Sequence, residues 1–170
     1  MNISYHPVAR TRARWRRRST ARGFTLVEMI VTLAIVGILA MIAAPSFSAF
    51  IANQRVRMAS YDLFADLSLA RSEAVKRNAN VTIARPVGAG STWAAGWTIT
   101  DSNGNTLRTH SALSSTIKET TGPASVVFIL DGHLNGATAT FTFGDAVTPP
   151  RAEVRTRTIT LDPSGRPKTS

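Results

Sequence analysis

One carboxylate stands inside an otherwise apolar run. From Phe24 to about Ala52 the chain is apolar apart from threonines, serines and Glu28. An acid at that depth is costly unless a cation pairs with it, so Glu28 reads as functional by default; the alternative is that it snorkels to the membrane interface. Other reactive residues do not assemble. The three histidines, His6, His110 and His133, are scattered, and there is no cysteine, which excludes disulfides, thiolate metal sites and a cysteine nucleophile. The run Asp101-Ser102-Asn103-Gly104-Asn105 offers oxygens at alternate positions. Thr106 stands where a calcium loop needs glycine and Ala112 where it needs a bidentate glutamate, so a hairpin turn on Asn103-Gly104 is the better reading. With no acid–base pair, nucleophile constellation or phosphate loop, the sequence argues against an enzyme and implies no cofactor and no metal.

The elements around Glu28 are sharply divided. Residues 1–23 hold Arg10, Arg12, Arg14, Arg16, Arg17, Arg18 and Arg22 and no acid, so they carry seven of the ten net positive charges. An apolar stretch of roughly 20 or more residues can span a bilayer as a helix. Arginines before it, without a counterpart immediately after it, place the N-terminus in the cytoplasm and the C-terminal domain outside. Cleavage at Ala43-Ala44, as in a secretory signal, is one processing possibility, but such apolar regions are usually about 7 to 15 residues long. Cleavage at Gly23-Phe24, ahead of the apolar run, is the other. Pro45 lacks an N–H and would bend the helix.

Beyond Asn53, apolar residues recur at Val56, Ala59, Leu63, Leu67, Ala70 and Ala74. Steps of three and four lay a stripe along one helix face. Asp62, Asp66, Arg71, Glu73, Lys76 and Arg77 are assigned mostly to the remaining faces. After Asn78 the pattern changes to strands: Val81 to Arg85, Gly96 to Thr100, Val126 to Leu130, Thr138 to Phe143 and Arg155 to Leu161, with Asp131-Gly132 and Asn135-Gly136 as turns. Trp93 and Trp97 could stack on nucleobases, but their apolar strand setting favours core positions. One long helix followed by consecutive strands favours an α+β domain, with antiparallel sheet laid on the helix stripe.

These residues carry a family resemblance. Arg22-Gly23-Phe24-Thr25-Leu26-Val27-Glu28 resembles the class III signal of type IV pilins and type II secretion pseudopilins. Arg71-Ser72-Glu73-Ala74, the run Ser91 to Asp101 with its Asn-Gly turn, and Asp162-Pro163-Ser164-Gly165-Arg166 are similar to the GspH/FimT branch of minor pilins and minor pseudopilins. The resemblance implies a type IV pilin-like fold, its long N-terminal helix having a transmembrane half and an amphipathic half. It also implies three regions: a basic leader at 1–23, an assembly helix at 24–52 and a periplasmic domain at 53–170. That last region would comprise an amphipathic helix at 53–77, a β-rich part at 80–162 and a basic tail at 163–170. A prepilin peptidase would cut after Gly23 and methylate Phe24, leaving a single-pass protein in the bacterial inner membrane. In a filament, Glu28 would meet another subunit's new terminal amine, which removes two unpaired charges at once. The partners implied are the peptidase and other pilins or pseudopilins, in a pilus or in a secretion pseudopilus.

The C-terminus is basic: Arg151, Arg155, Arg157, Arg166 and Lys168 stand against Glu153 and Asp162. Arg155 and Arg157 share parity with Ile159 and Leu161, and the tail after Leu161, with its glycine and proline, reads as mobile. In FimT-type pilins of competence systems a Gly-Arg-x-Arg motif near the C-terminus binds DNA, and Gly165-Arg166-Pro167-Lys168 resembles it with lysine in the second basic position. Lysine keeps the charge but loses the planar fork. The resemblance thus extends to DNA uptake in natural transformation; a solvated strand that resists edge pairing is the other reading of the same charges.

Overall fold

The structure is a computed structural model that describes Met1, residues 23–88 and residues 90–170. The leader arginines and His6 lie outside the described residues. The chain divides into two compact units, Met1–Ala40 and Met41–Ser170. Helix α1, Leu26–Arg77, supplies residues to both.

In the first unit every helical residue is exposed. The apolar side chains there have no periodic gap, so no face of the helix is set aside for water. The second unit carries the core. Val56, Ala59, Leu63, Leu67, Ala70 and Ala74 are all at most 2% exposed, so the expected stripe is the buried face of α1. The helix ends where Asn78 takes a left-handed conformation (φ 50°). The amides of Asn78 and Ala79 then reach back to the carbonyls of Val75 and Ala74, 3.2 Å each, which satisfies two of the free carbonyls of the last turn. Lys76 and Arg77 in that turn suit the negative end of the helix dipole.

Among the described residues eight strands follow: β1 (Val81–Ala84), β2 (Trp97–Asp101), β3 (Thr106–His110), β4 (Ile117–Thr121), β5 (Ser125–Phe128), β6 (Ala139–Asp145), β7 (Arg157–Leu161) and β8 (Pro167–Thr169). They form two antiparallel four-stranded sheets, ordered β3-β2-β1-β5 and β4-β6-β7-β8. The fold is α+β, as expected, with two sheets where the sequence suggested one. Alternation explains the inner faces: Val81 and Ile83, Trp97 and Ile99, Phe141 and Phe143, and Ile159 and Leu161 are each buried two residues apart.

Both tryptophans are core residues. Trp93 meets Phe141 edge-on at 4.9 Å, and its indole N–H donates to the Pro123 carbonyl at 2.6 Å. Trp97 donates to Asp66 Oδ2 at 2.8 Å, while Arg108 Nε of β3 lies 2.9 Å from Asp66 Oδ1. Asp66 is therefore buried, 1% exposed, and does not belong with the solvated side of the helix. One turn earlier, Asp62 lies 3.5 Å from His110 Nε2, and the His110 ring stacks on Trp97 at 4.0 Å. Two helix carboxylates thus fix the register of α1 against β2 and β3.

The Asn103-Gly104 turn closes the β2–β3 hairpin as read. Asp101 accepts hydrogen bonds from the amides of Asn103 and Asn105, 2.9 Å each, and from the Asn105 side chain at 3.0 Å. These bonds, the Asn105 side chain's first among them, hold its carboxyl below the usual range. Both carboxylate oxygens of Asp101 are thus committed to the turn.

Candidate functional site

Gly23, Phe24 and Thr25 precede the helix without regular structure, and Phe24 is 73% exposed. Thr25 caps the helix: its Oγ1 accepts the Glu28 amide at 3.2 Å, and its carbonyl accepts the Met29 amide at 3.2 Å. Thr25-Leu26-Val27-Glu28 is thus the threonine-to-glutamate spacing of a capping box, and half of the reciprocal pair is formed. The cap stops the helix before the Gly23-Phe24 junction and leaves that bond in non-helical backbone. Glu28 sits exposed in the first turn, among apolar neighbours that are exposed as well: Leu26, Val27, Met29 and Ile30. The capping role of Thr25 was legible from its spacing to Glu28.

The five C-terminal cations do not form one patch. Arg151 is committed elsewhere. Its Nε and Nη2 donate to both oxygens of Asp145, at 2.8 and 3.0 Å, and its Nη1 reaches the Ser48 carbonyl at 3.3 Å. Asp145 is 3% exposed, and the Arg151 hydrogen bonds hold its carboxyl at about 2. A forked guanidinium on a buried carboxylate stitches the loop after β6 to the helix; it is not a cation free for a phosphate. Asn53 makes the neighbouring stitch, donating to the Glu153 carbonyl at 2.8 Å and accepting the Arg155 amide at 2.9 Å.

Arg155 is exposed and precedes β7 rather than lying on it. Arg157 opens β7 on the parity of the buried Ile159 and Leu161, so it faces inward at the strand's end and is half-buried. The expectation that the two arginines project together from one strand face therefore does not hold. Arg166 is exposed in the turn at the far end of β7, its amide bonded to Asp162 Oδ1 at 3.2 Å. Lys168 lies 3.6 Å from Asp162 Oδ2. The register pairs Ile159 with Thr169, Thr160 with Lys168 and Leu161 with Pro167. The tail is thus an edge strand and not a mobile end, and a strand length of roughly 13 Å or more separates Arg166 from Arg157.

The turn that carries Arg166 is built for packing. Asp162 accepts from the Ser164 hydroxyl and the Arg166 amide, and these bonds, with Ser164 first, lower its pKa. Gly165 is buried with φ 74°, and a Cβ there would overlap the Gly132 carbonyl oxygen. That same carbonyl accepts Arg71 Nε at 3.0 Å, and the Leu134 amide donates to the Pro163 carbonyl at 3.0 Å. Arg71 of the helix, the Asp131-Gly132 turn and the Asp162–Arg166 turn are one junction, although 94 positions separate Arg71 from Gly165.

Among the described residues no cluster of histidine, aspartate or glutamate could hold a metal ion. Among the same residues one helix, α1, is long and apolar enough to cross a membrane by length and composition.

An exposed apolar helix with its acid in the first turn, followed by an antiparallel β domain packed on its second half, defines the class. Residues 18–44 match the prokaryotic N-terminal methylation motif. Residues 59–165 match the family model described as type II transport protein GspH, and the chain belongs to that family. The fold is similar to that of the type IV minor pilin FimU of Pseudomonas aeruginosa strain PAO1 in two crystal forms. One has 21% identity over 71% of this chain and 92% of that chain, with a TM-score of 0.56. The other has 24% identity over 67% and 91%, with a TM-score of 0.53. At those identities the likeness is one of fold. No curated protein matches the chain significantly.

Proposed function

We propose that the chain is a minor pilin of the FimT kind, cut after Gly23, N-methylated on Phe24 and anchored in the inner membrane with its C-terminal domain in the periplasm until it assembles. Residues 1–23 would be the leader that a prepilin peptidase removes, residues 24–52 the assembly helix and residues 53–170 the domain the subunit presents. The observation that carries this reading is the juxtaposition at the amino end: a Gly-Phe junction outside regular structure, a Thr25 cap and Glu28 in the first turn of a helix whose apolar residues up to Ala40 are all exposed. The fold likeness to a type IV minor pilin supports the pilus as the destination. In a filament, Glu28 would pair with a neighbouring subunit's methylated amine, and losing one partner would strand the other charge in apolar surroundings. Replacing Glu28 by alanine should leave processing and the fold of residues 41–170 intact while depleting the subunit from purified filaments. Wild-type recovery of that variant in filaments would contradict the pairing.

The description of the matched family as a type II transport protein supports a second destination, a minor pseudopilin of a type II secretion system. Deleting the gene and scoring pilus number against protein secretion separates the two.

DNA capture in natural transformation is a finer reading, supported by the exposure of Arg155, Arg166 and Lys168. With Arg151 bound to Asp145, at most four cations remain. The log–log salt slope on duplex DNA should then be no steeper than about −4. A gel-shift titration of the full mature chain against an Arg166→Ala, Lys168→Ala variant checks it, and unchanged affinity would remove the tail from the interface.

A further inference from the structure

We propose that the cleft between α1 and the β7–β8 hairpin, walled by Arg57, Ser60, Tyr61, Arg157 and Thr169, is a phosphate-oxygen site that takes the headgroup of an anionic phospholipid. The inference rests on α1 lying in a bilayer and is independent of filament assembly.

Ser60 is 3% exposed, and its hydroxyl has no hydrogen-bond partner. A buried hydroxyl left unpaired is unfavourable, and natural cores retain few of them without a reason. The residues beside it supply the reason. Arg57 and Arg157 have no side-chain hydrogen bond or ion pair among the described residues. This sets them apart from Arg151 on Asp145, Arg108 on Asp66 and Arg77 on Glu73. Two guanidiniums and three hydroxyls line the cleft and no carboxylate does. That donor set is complementary to an oxyanion, and guanidinium forks match phosphate oxygens.

The cleft itself is narrow, about 20 Å³, which is room for one oxygen. One phosphate oxygen would enter and reach Ser60, and the others would remain at the mouth between the two guanidiniums. Chain order argues for a lipid source. The last exposed phenylalanine of the apolar run, Phe50, precedes Arg57 by seven residues, about 10 Å of helix rise. The polar headgroup layer on each side of a bilayer is of comparable depth, roughly 5 to 8 Å. Arg55 and Arg155, both exposed, add positive charge at the same level of the chain, as juxtamembrane basic residues do for anionic lipids.

The test uses the full chain in an uncharged detergent, titrated with dihexanoyl phosphatidylglycerol and separately with inorganic phosphate, followed by phosphorus NMR line broadening. Saturable phosphatidylglycerol binding is expected, weakened about tenfold by Arg57→Gln or by Arg157→Gln. Arg57 is exposed, so its variant does not disturb the core. Ser60→Ala should weaken binding severalfold while leaving Tm unchanged or higher, because it deletes a lone hydroxyl. Inorganic phosphate competing at the same variants' expense would show that the phosphate group alone is recognised. Phosphatidylglycerol binding without it would show that the lipid phosphodiester is the ligand; either result supports the site. No saturable binding of either probe, or equal binding in all three variants, would show a cleft holding only water or facing another subunit's acid, and would overturn the proposal.

Discussion

Two stretches of one helix meet opposite fates. Between Leu26 and Phe47, large apolar side chains stay exposed, Leu39 at 60% and Leu33 at 66%; between Val56 and Ala74, the apolar stripe is covered, with Leu67 at 0%. Leucine and alanine are common in both, but the first holds one charged residue, Glu28, and the second holds Arg57, Asp62, Asp66, Arg71 and Glu73. Their pattern differs as well. The first stretch is apolar on all sides, so no single face can be satisfied by the chain's own sheets. The second restricts its apolar residues to one face and places Asp62 and Asp66 where β2 and β3 can answer them. What the first stretch lacks within the chain, a bilayer or neighbouring helices must provide.

Substitution should expose that difference. Leu67→Ala removes a fully buried side chain and should cost about 3 kcal/mol, read by chemical denaturation of the full chain in mild detergent with tryptophan fluorescence. Leu39→Ala, in the same assay, should change stability by less than about 0.5 kcal/mol. Equal effects would erase the distinction.

A smaller effect is expected at the junction of the helix with its two distant turns. Gly165→Ala combines a strained φ of 74° with overlap on the Gly132 carbonyl, and should cost about 1 to 2 kcal/mol. Gly104→Ala has the same left-handed backbone but open space around it, so it should cost less. The contrast isolates packing from backbone strain.

Smallest is the acid limb at Asp145. Its carboxyl titrates at about 2 in the folded chain, below about 3.9 for an unfolded aspartate. A depressed folded value contributes stability that is present above pH ~4 and lost as pH falls toward ~2. Arg151 is partly solvated, its side chain 26% exposed, which moderates the effect. Tm measured across that window should fall in the wild type, and Arg151→Met should flatten the fall while lowering Tm at neutral pH.

Local periodicity made much of this fold legible. All six stripe residues are buried, both tryptophans are core, and the Asn103-Gly104 turn closes its hairpin, because each depends on neighbours a few positions away. The strands that escaped reading are polar ones: β3 (Thr106–His110) and β4 (Ile117–Thr121) hold few apolar residues, and β8 (Pro167–Thr169) is three residues with a proline at its edge. Their pairing comes from partners already fixed in the sheet. Asp66 looked solvated because its partners Trp97 and Arg108 are 31 and 42 positions away. Arg151 looked free although its counter-ion Asp145 is only six positions away, because the loop after β6 has to fold back before the two meet. At the amino end the signal is covalent and contiguous, so the family showed there first, while the basic C-terminus had to be taken apart residue by residue.

The central proposal is that the chain is a processed, filament-class subunit whose mature N-terminus is Phe24, two residues before α1 begins at Leu26. Mass spectrometry of the N-terminus of the mature protein, isolated from its own membranes, tests this most directly. The account predicts a chain that begins with N-methylated Phe24. An intact leader, or a chain that begins after Ala44, would contradict it.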